Sequence, residues 1–502
     1  MKKSTVILIS LMLLLTLAAC NSGDANTPET GLTDVHTGNA PEIRTQNAPN
    51  ESDSSITNPT NAAPASNPNL PPDDLPETPV DEFEYNSAND GIAITAYIGS
   101  SQRIRIPDMI EGTPVTEIDY GAFSYVDYYV EEELNNEHNK ITYVYIPNSV
   151  TVIGANAFGS CEGLTSITIP DSVTVIGDGA FYGCSGLTSI TIPEGVTSIN
   201  RSVFDSCERL ASVTIPDSVT AIGDEAFDRC IALTDVSIPS GVKSIGRSAF
   251  YYCSGLKSIT IPDGVTSIDQ STFFGCESLT SVTIPDSVIS IGDSAFNSCS
   301  GLTSITVPGG VTSIGESAFS NCSGLSSIII PNGMTTIENH TFWGCEGLSN
   351  VTIPNSITSI GEGAFWCCEG LTNITIPDGV TAIEELTFSG CKGLTSISIP
   401  GSVTSIGDSA FDGCSGLESI TIPEGVTSIG ESAFEGCREL NSVTIPDSVT
   451  SIGENAFYRW VHSDSSPELT IIYKGKTYTV VSVDNSYYFD MPQEFYDAIN
   501  NQ

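Results

Sequence analysis

The sequence predicts a β-rich solenoid: a coil of 23-residue turns with a parallel sheet on one face, closed at its C-terminal end by a capping hairpin and a short helix. Three observations predict it. A leucine recurs every 23 residues from Leu164 to Leu440 without insertion. Apolar residues stand three and five places after each leucine, as Ile167 and Ile169 do, and a proline follows at the sixth place. A phenylalanine stands seventeen places after, from Phe158 to Phe457. Self-similarity at a short fixed period marks a solenoid, in which each turn buries its apolar face against its neighbours alone.

Each part of the turn can be justified in order, numbering the leucine as position 0. The apolar residues at positions 3 and 5 alternate with Ser166 and Thr168, which is the period of a half-buried strand. Pro170 and its equivalents lack the donor a ladder needs and end the strand. Val173 and Ile176 make a second short apolar pair at positions 9 and 12. Gly177 at position 13 marks a turn. Asp178, Asp224 and Glu316 at position 14 are placed to cap a single helical turn that carries Ala180 and Phe181. One phenylalanine per turn predicts a stacked aromatic spine in the core. The outward Ser and Thr columns form a hydroxyl-rich face suited to many weak hydrogen bonds, although most of these residues also serve as solvated strand formers.

The repeat L-x-x-I-x-I-P-x-x-V-x-x-I-G-x-x-A-F-x-x-C resembles the BspA-like subgroup of leucine-rich repeats over roughly residues 83 to 457. Phe83 to Phe123 resembles that family's amino-terminal turn, with Glu111-Gly112-Thr113-Pro114 widening one span. The resemblance implies leucine-rich repeat geometry and a bacterial surface protein that binds host matrix, other bacteria or epithelial cells. About fifteen turns at about 4.8 Å each give a rod of roughly 70 Å.

Composition narrows the function. The chain of 502 residues has 61 acidic against 17 basic residues, a net charge of −44. Such a surface repels phosphate backbones, so nucleic acid is not an expected partner. Lys2 and Lys3 followed by the apolar stretch Val6 to Leu17 read as an export signal, too short for a membrane span. Leu17-Ala18-Ala19-Cys20 resembles the lipobox of bacterial lipoproteins. That resemblance implies a signal peptide over residues 1–19, removal before Cys20, and a membrane anchor through lipid on the Cys20 thiol. Residues 20–80 are rich in Pro, Asn, Thr and Ser and offer no apolar period, so they read as a disordered tether. Its root-mean-square reach is roughly 40–45 Å.

Fourteen cysteines follow Cys20, thirteen of them in one column from Cys161 to Cys437, with Cys367 beside the column. Residues in one solenoid column point the same way, whereas a disulfide needs facing Cβ vectors. These cysteines are therefore expected as buried free thiols acting as small apolar groups. No Cys-x-x-Cys pair suggests zinc, and His36, His138, His340 and His462 lack partners at ligand or triad spacing. Stacked carboxylates such as Asp171, Glu194 and Asp217 lack the Asp-rich nonapeptide of calcium-binding coils. No metal, cofactor or catalytic residue is expected, and the chain reads as a non-enzyme.

Function is expected where the repeat departs from itself. Residues 81–140 form an atypical first repeat and cap, with an insertion at Ser124 to Lys140 whose Tyr125, Tyr128 and Tyr129 make it a contact loop. The regular solenoid spans 141–462. Within it Ile329 replaces the usual outward Thr, Asn350 and Asn373 replace Ser, and Trp343 and Trp366 sit one turn apart in one column. The two indoles suggest a stacking platform, although they lie on another side of the turn from Ile329. A basic group, Arg201, Arg209, Arg229, Lys243, Arg247 and Lys257, serves chiefly to offset neighbouring carboxylates, with binding of an anionic polymer as the alternative. Residues 463–502 read as the C-terminal cap, with a hairpin around Lys474-Gly475. Together these features predict a lipid-anchored cell-surface protein that binds an extracellular protein or glycan. A structural or substrate-capturing scaffold within the envelope is the alternative.

Overall fold

The structure, a computed structural model, describes residues 75–124, 140–460, 468–482 and 488–500. The folded body begins before the boundary at residue 81. Leu75 and Thr78 are buried, and the Thr78 N–H donates to the Arg105 carbonyl at 3.1 Å. After a 3-10 turn at Val80–Glu82, β1 (Phe83–Ala88) pairs antiparallel with β2 (Gly91–Tyr97). Strand β3 (Arg103–Arg105) follows, then β4 (Met109–Ile110), antiparallel to β5 (Thr113–Ile118). Strand β5 lies parallel to β2, and β6 (Tyr143–Tyr145) lies parallel to β3. Two parallel ladders start from this cap.

The first ladder pairs positions 2 to 4, inside the longer strand expected over positions 0 to 5. Ser189, Ile190 and Thr191 pair in register with Ser212, Val213 and Thr214, a shift of 23 residues. The middle residue is buried and its neighbours face out. Strand pairing lapses between Ser166–Thr168 and Ser189–Thr191, and falls to a single bridge or less at the turns beginning Leu233, Leu302 and Leu371. The second ladder was not anticipated. Positions 11 and 12 of successive turns also pair, as Ser198–Ile199 with Ala221–Ile222 and these with Ser244–Ile245. Ile176, the second member of the apolar pair at positions 9 and 12, thus lies in another strand. Glycine at position 13 lets consecutive turns close against each other there. A Cβ on Gly177 would collide with the backbone nitrogen of Ala155 and lie 2.7 Å from the carbonyl carbon of Gly154.

The third side corrects the expected helical turn. Positions 14 to 20 form consecutive tight turns: the Ala180, Tyr182 and Cys184 N–H groups donate to Gly177, Gly179 and Phe181 carbonyls at 3.2, 2.8 and 3.1 Å. Positions 15 and 19 are left-handed, with φ of 62° at Gly179 and 69° at Gly183, then 52° at Ser202 and 61° at Ser206. A left-handed residue at every fourth place cannot belong to a right-handed helix. The freed N–H groups reach forward to the next turn instead. Phe158 donates to Ala180 at 2.8 Å and Ser160 to Tyr182 at 2.6 Å. Each turn is therefore bonded to its neighbours on three sides, which satisfies backbone that would otherwise be orphaned in the interior.

The core is the expected spine. From Phe158 to Phe457 successive rings stand 5.2–5.8 Å apart and within 18° of parallel. Separations above the roughly 4.8 Å strand spacing mean offset stacking, the favoured arrangement of like quadrupoles. Phe123 and Tyr97 extend the stack at the N-terminal end. At the other end Phe495 meets Phe457 edge-on at 6.2 Å. Phe495 belongs to α1 (Gln493–Asn500), the predicted short helix. The predicted hairpin is also present. Thr470–Tyr473 pairs antiparallel with Lys476–Thr479 and parallel with Ser442–Ile445, so it continues the first ladder. Its turn residues Lys474 and Gly475 both have positive φ, as a two-residue hairpin of matching twist requires.

Candidate binding surfaces

Four surfaces merit description, beginning with the outward face of the first ladder. From Ser166 to Thr444 its outward positions are Ser, Thr and Asn, except for Ile329 and a single ionisable residue, Asp235. In-register pairing lines these side chains into two columns. Three predicted site residues share this face. Ile329 is 70% exposed and lies in register with Thr352. Asn350 pairs with Ser327, and its amide donates to the Ser349 hydroxyl at 3.0 Å. The Asn373 amide donates likewise to the Thr372 hydroxyl at 3.2 Å. The flanking position 1 hydroxyls are consumed internally, as when Thr165 donates to the Thr142 carbonyl at 3.0 Å.

The second surface lies over the tight turns, at position 18. Trp343 and Trp366 stack there with centroids 5.2 Å apart and planes 15° apart, and His340 packs edge-on at 6.1 Å from Trp343. Trp366 is only 6% exposed. The pair is thus not a two-ring platform: Trp343 covers Trp366, and one half-buried indole remains accessible. Tyr251 and Phe274 repeat the arrangement at 4.9 Å. The structure does not bring the tryptophans together with Ile329, Asn350 and Asn373. Cys20, Tyr125, Tyr128 and Tyr129 lie outside the described residues.

The same column buries acids that sequence reasoning missed. Asp205 and Asp228, one turn apart, are both more than nine-tenths buried. Arg229 reaches Asp228 at 3.4 Å, and the Ser206 hydroxyl donates to Asp205 at 2.8 Å. Desolvation and then the Asp205 charge outweigh Arg229 and push Asp228 up to about 7. Burial also lifts Asp412 to about 7, helped by Glu435 in the next turn. The only signal was an acid in a column otherwise filled by aromatic, small or polar residues. Of the basic group, Arg201 forks onto Glu225 at 2.9 Å, which agrees with an offsetting role.

The third surface is a groove of about 510 Å³ over the second ladder, floored by Gly407, Gly430 and Gly453. Glu385, Asp408 and Glu431 line one side. Glu385 is raised by desolvation, then by Glu362 and Asp408. The fourth surface is the N-terminal start of the first ladder, where Arg103 stands over the Tyr143 ring and Arg105 over Tyr145.

The thiols do more than fill space. Each column cysteine donates its S–H to the phenylalanine carbonyl of the preceding turn, from Cys184 to Phe158 at 3.2 Å through Cys437 to Phe411 at 3.3 Å. All fourteen described cysteines are buried, and none is in a disulfide. Burial pushes the Cys161, Cys322 and Cys391 thiols up to about 12. Among the described residues no group of three or more His, Cys, Asp or Glu is arranged to hold a metal ion.

Comparison with known proteins agrees with this geometry. A family model described as a BspA type leucine-rich repeat region matches residues 130–257, 243–370 and 335–463. The chain is similar to a leucine-rich repeat protein from Bacteroides ovatus, at 28% identity and a TM-score of 0.64, covering 79% of this chain and all of that one. It is also 33% identical to a leucine-rich cell surface protein from Faecalibacterium prausnitzii, covering 74% of this chain and 95% of that one with a TM-score of 0.42. No curated protein matches the chain. The match to the family model spans most of the repeats described above: the chain belongs to the BspA type leucine-rich repeat family.

Proposed function

We propose that the protein is a non-catalytic, lipid-anchored binding protein of the bacterial cell surface, whose solenoid holds an extracellular protein or glycan. One observation carries this reading. The outward face of the first ladder is long, in register and nearly uncharged on a chain of net charge −44. Charge is the cheapest way to keep a β-face soluble and unpaired. A face kept free of it, on a body otherwise covered in carboxylates, suits repeated neutral contact. One turn offers too few groups to hold a ligand, so binding arises from many turns engaged together. The cell-surface relative from Faecalibacterium prausnitzii is consistent with this location.

The test is binding of the full chain to an array of matrix proteins, mucins and bacterial glycans. A parallel variant carries Ser281→Glu, Ser304→Glu and Ser327→Glu. Ligand capture that the triple variant loses is the expected result. Capture that survives it but fails with Trp343→Ala moves the site to the tight-turn side, and silence across the array refutes the reading. Anchoring is checked separately: Cys20→Ser is expected to release the protein from the cell envelope into the medium.

A further inference from the structure

The tight-turn side carries a longer period than the 23-residue repeat. Positions 14 and 18 run along it in register, because the backbone bonds each turn to the next there, as Asn156 to Asp178 and Ser160 to Tyr182. From Tyr182 to Trp366, position 18 reads Tyr, Asp, Asp, Tyr, Phe, Asn, Ser, Trp, Trp. Tyr182 is exposed and Tyr251, Phe274 and Trp343 are half-buried, whereas Asp205, Asp228, Asn297 and Ser320 are buried. Two turns of large rings thus alternate with two turns of short polar side chains. The ring pairs stack, Tyr251 on Phe274 and Trp343 on Trp366. They recur four turns apart, about 19 Å. Ridge and valley therefore have the same width. Position 14, bordering this side, changes sign along its length. Arg201 and Arg247 are its only cations from Asp178 to Glu454, and both are exposed. Glu316 and Glu362 stand in the same column further on.

Both patterns are complementary to their own reverse. A two-fold axis crossing the rod between Phe274 and Asn297 turns a second copy end for end and lays the two tight-turn sides together. The ridge Tyr251–Phe274 of one copy then meets the valley Asn297–Ser320 of the other, and Trp343–Trp366 meets Asp205–Asp228. Along position 14 the same axis sets Arg247 opposite Glu316 and Arg201 opposite Glu362. Its one like-charged pairing, Asp178 with Glu385, falls at the margin. An axis between Ser320 and Trp343 also fits ridges to valleys, but it sets Asp293 against Glu362 and Asp224 against Glu431. A glycan or a peptide would use the rings and gain nothing from the reversal of charge, whereas a second copy uses both. We propose that the tight-turn side is a self-association surface, on which a second copy of this chain docks antiparallel about the first axis. The contact is a strip of ten turns, roughly 43 Å long. A weak, reversible dimer at the small end of specific interfaces is expected. The net charge of −44 on each copy opposes approach, but in about 0.15 M salt it is screened beyond about 8 Å, and the paired groups lie within that distance. The first ladder lies on another side of the turn, so this contact and the ligand-binding reading above stand or fall separately.

The experiment is sedimentation velocity of the full chain across the micromolar range in about 0.15 M salt. A monomer–dimer equilibrium is expected. Arg247→Glu alone and Glu316→Arg alone each bring like charges together at both symmetric contacts, and each is expected to weaken the dimer at least about tenfold. Combined on one chain, the two substitutions restore opposite charges, and the dimer is expected to return close to the parent constant. Both side chains are exposed, so the thermal transition of every variant is expected to stay in place. Should a single variant lose its fold, Arg201→Glu and Glu362→Arg repeat the exchange at the second contact. A monomer throughout that range, a dimer indifferent to the single variants, or a loss that the combined variant does not reverse overturns the proposal.

Discussion

Asp228 illustrates how one side chain can set a pH response. Its carboxyl is raised from 3.8 to about 7, by burial first and by Asp205 second, despite the Arg229 partner. Between those values this carboxyl is protonated in the folded chain and ionised in the unfolded one, so the stability it contributes is largest in acid and is lost as pH rises through about 7. Asp228→Asn removes the buried charge while keeping the shape. It is expected to raise the stability at pH 8 by on the order of a few kcal/mol and to change it little at pH 4; denaturant midpoints at the two pH values check this. The cysteines give a second residue-scale prediction. Thiols raised by burial and already donating to carbonyls are expected to resist a thiol-specific reagent at pH 8 until the protein unfolds. Fast native labelling of the cysteine column would contradict the bonding described for it.

At the scale of the turn, the aromatic spine is the main source of cohesion. Phe296→Ala removes a fully buried ring stacked on both sides and is expected to cost about 3–5 kcal/mol, measured as a shift in the denaturant midpoint. The spine, the first strand and the closing hairpin were legible because each is a repeated side-chain choice: Phe at one place, Ile-x-Ile before Pro, Lys-Gly between alternating strands. The tight turns were not. Serine is the commonest left-handed residue at position 15, as at Ser202, Ser248 and Ser294, and serine does not announce a positive φ as glycine does. The second ladder was missed because a strand of two residues, such as Val175–Ile176, buries only one side chain and so leaves no alternation to read. The arginine–tyrosine pairs were missed for another reason. They lie in the irregular first repeat, and only the register across the 124–140 insertion shows that Arg103-x-Arg105 and Tyr143-x-Tyr145 fill the same two columns. The tryptophan pair was read correctly as adjacent, but spacing alone could not reveal that one indole shields the other.

For the molecule as a whole, electrostatics oppose compactness. A net charge of −44 repels itself most when the Debye length is long, about 30 Å at 0.01 M salt against about 8 Å at 0.15 M. Raising sodium chloride across that range is expected to raise the melting temperature of the parent chain by several degrees. Binding of a neutral ligand on the hydroxyl columns is expected to show no such salt dependence.

The three-sided bonding between turns has a consequence for how such a chain tolerates insertion and loss. Every contact a middle turn makes is with a near-copy of itself, so the body behaves as a one-dimensional lattice in which phase matters and length does not. Removing residues 279–301 joins Ser278 to Leu302 and keeps the phase. Removing 279–300 shifts every downstream Phe, Cys and Gly by one step against its upstream neighbours. The first variant is expected to fold with a slightly smaller unfolding enthalpy, and the second to lose cooperative unfolding in calorimetry. Growth and shrinkage by whole periods would then be nearly silent for the fold while changing the length of surface on offer, which makes reach an adjustable property of the gene rather than a fixed property of the domain.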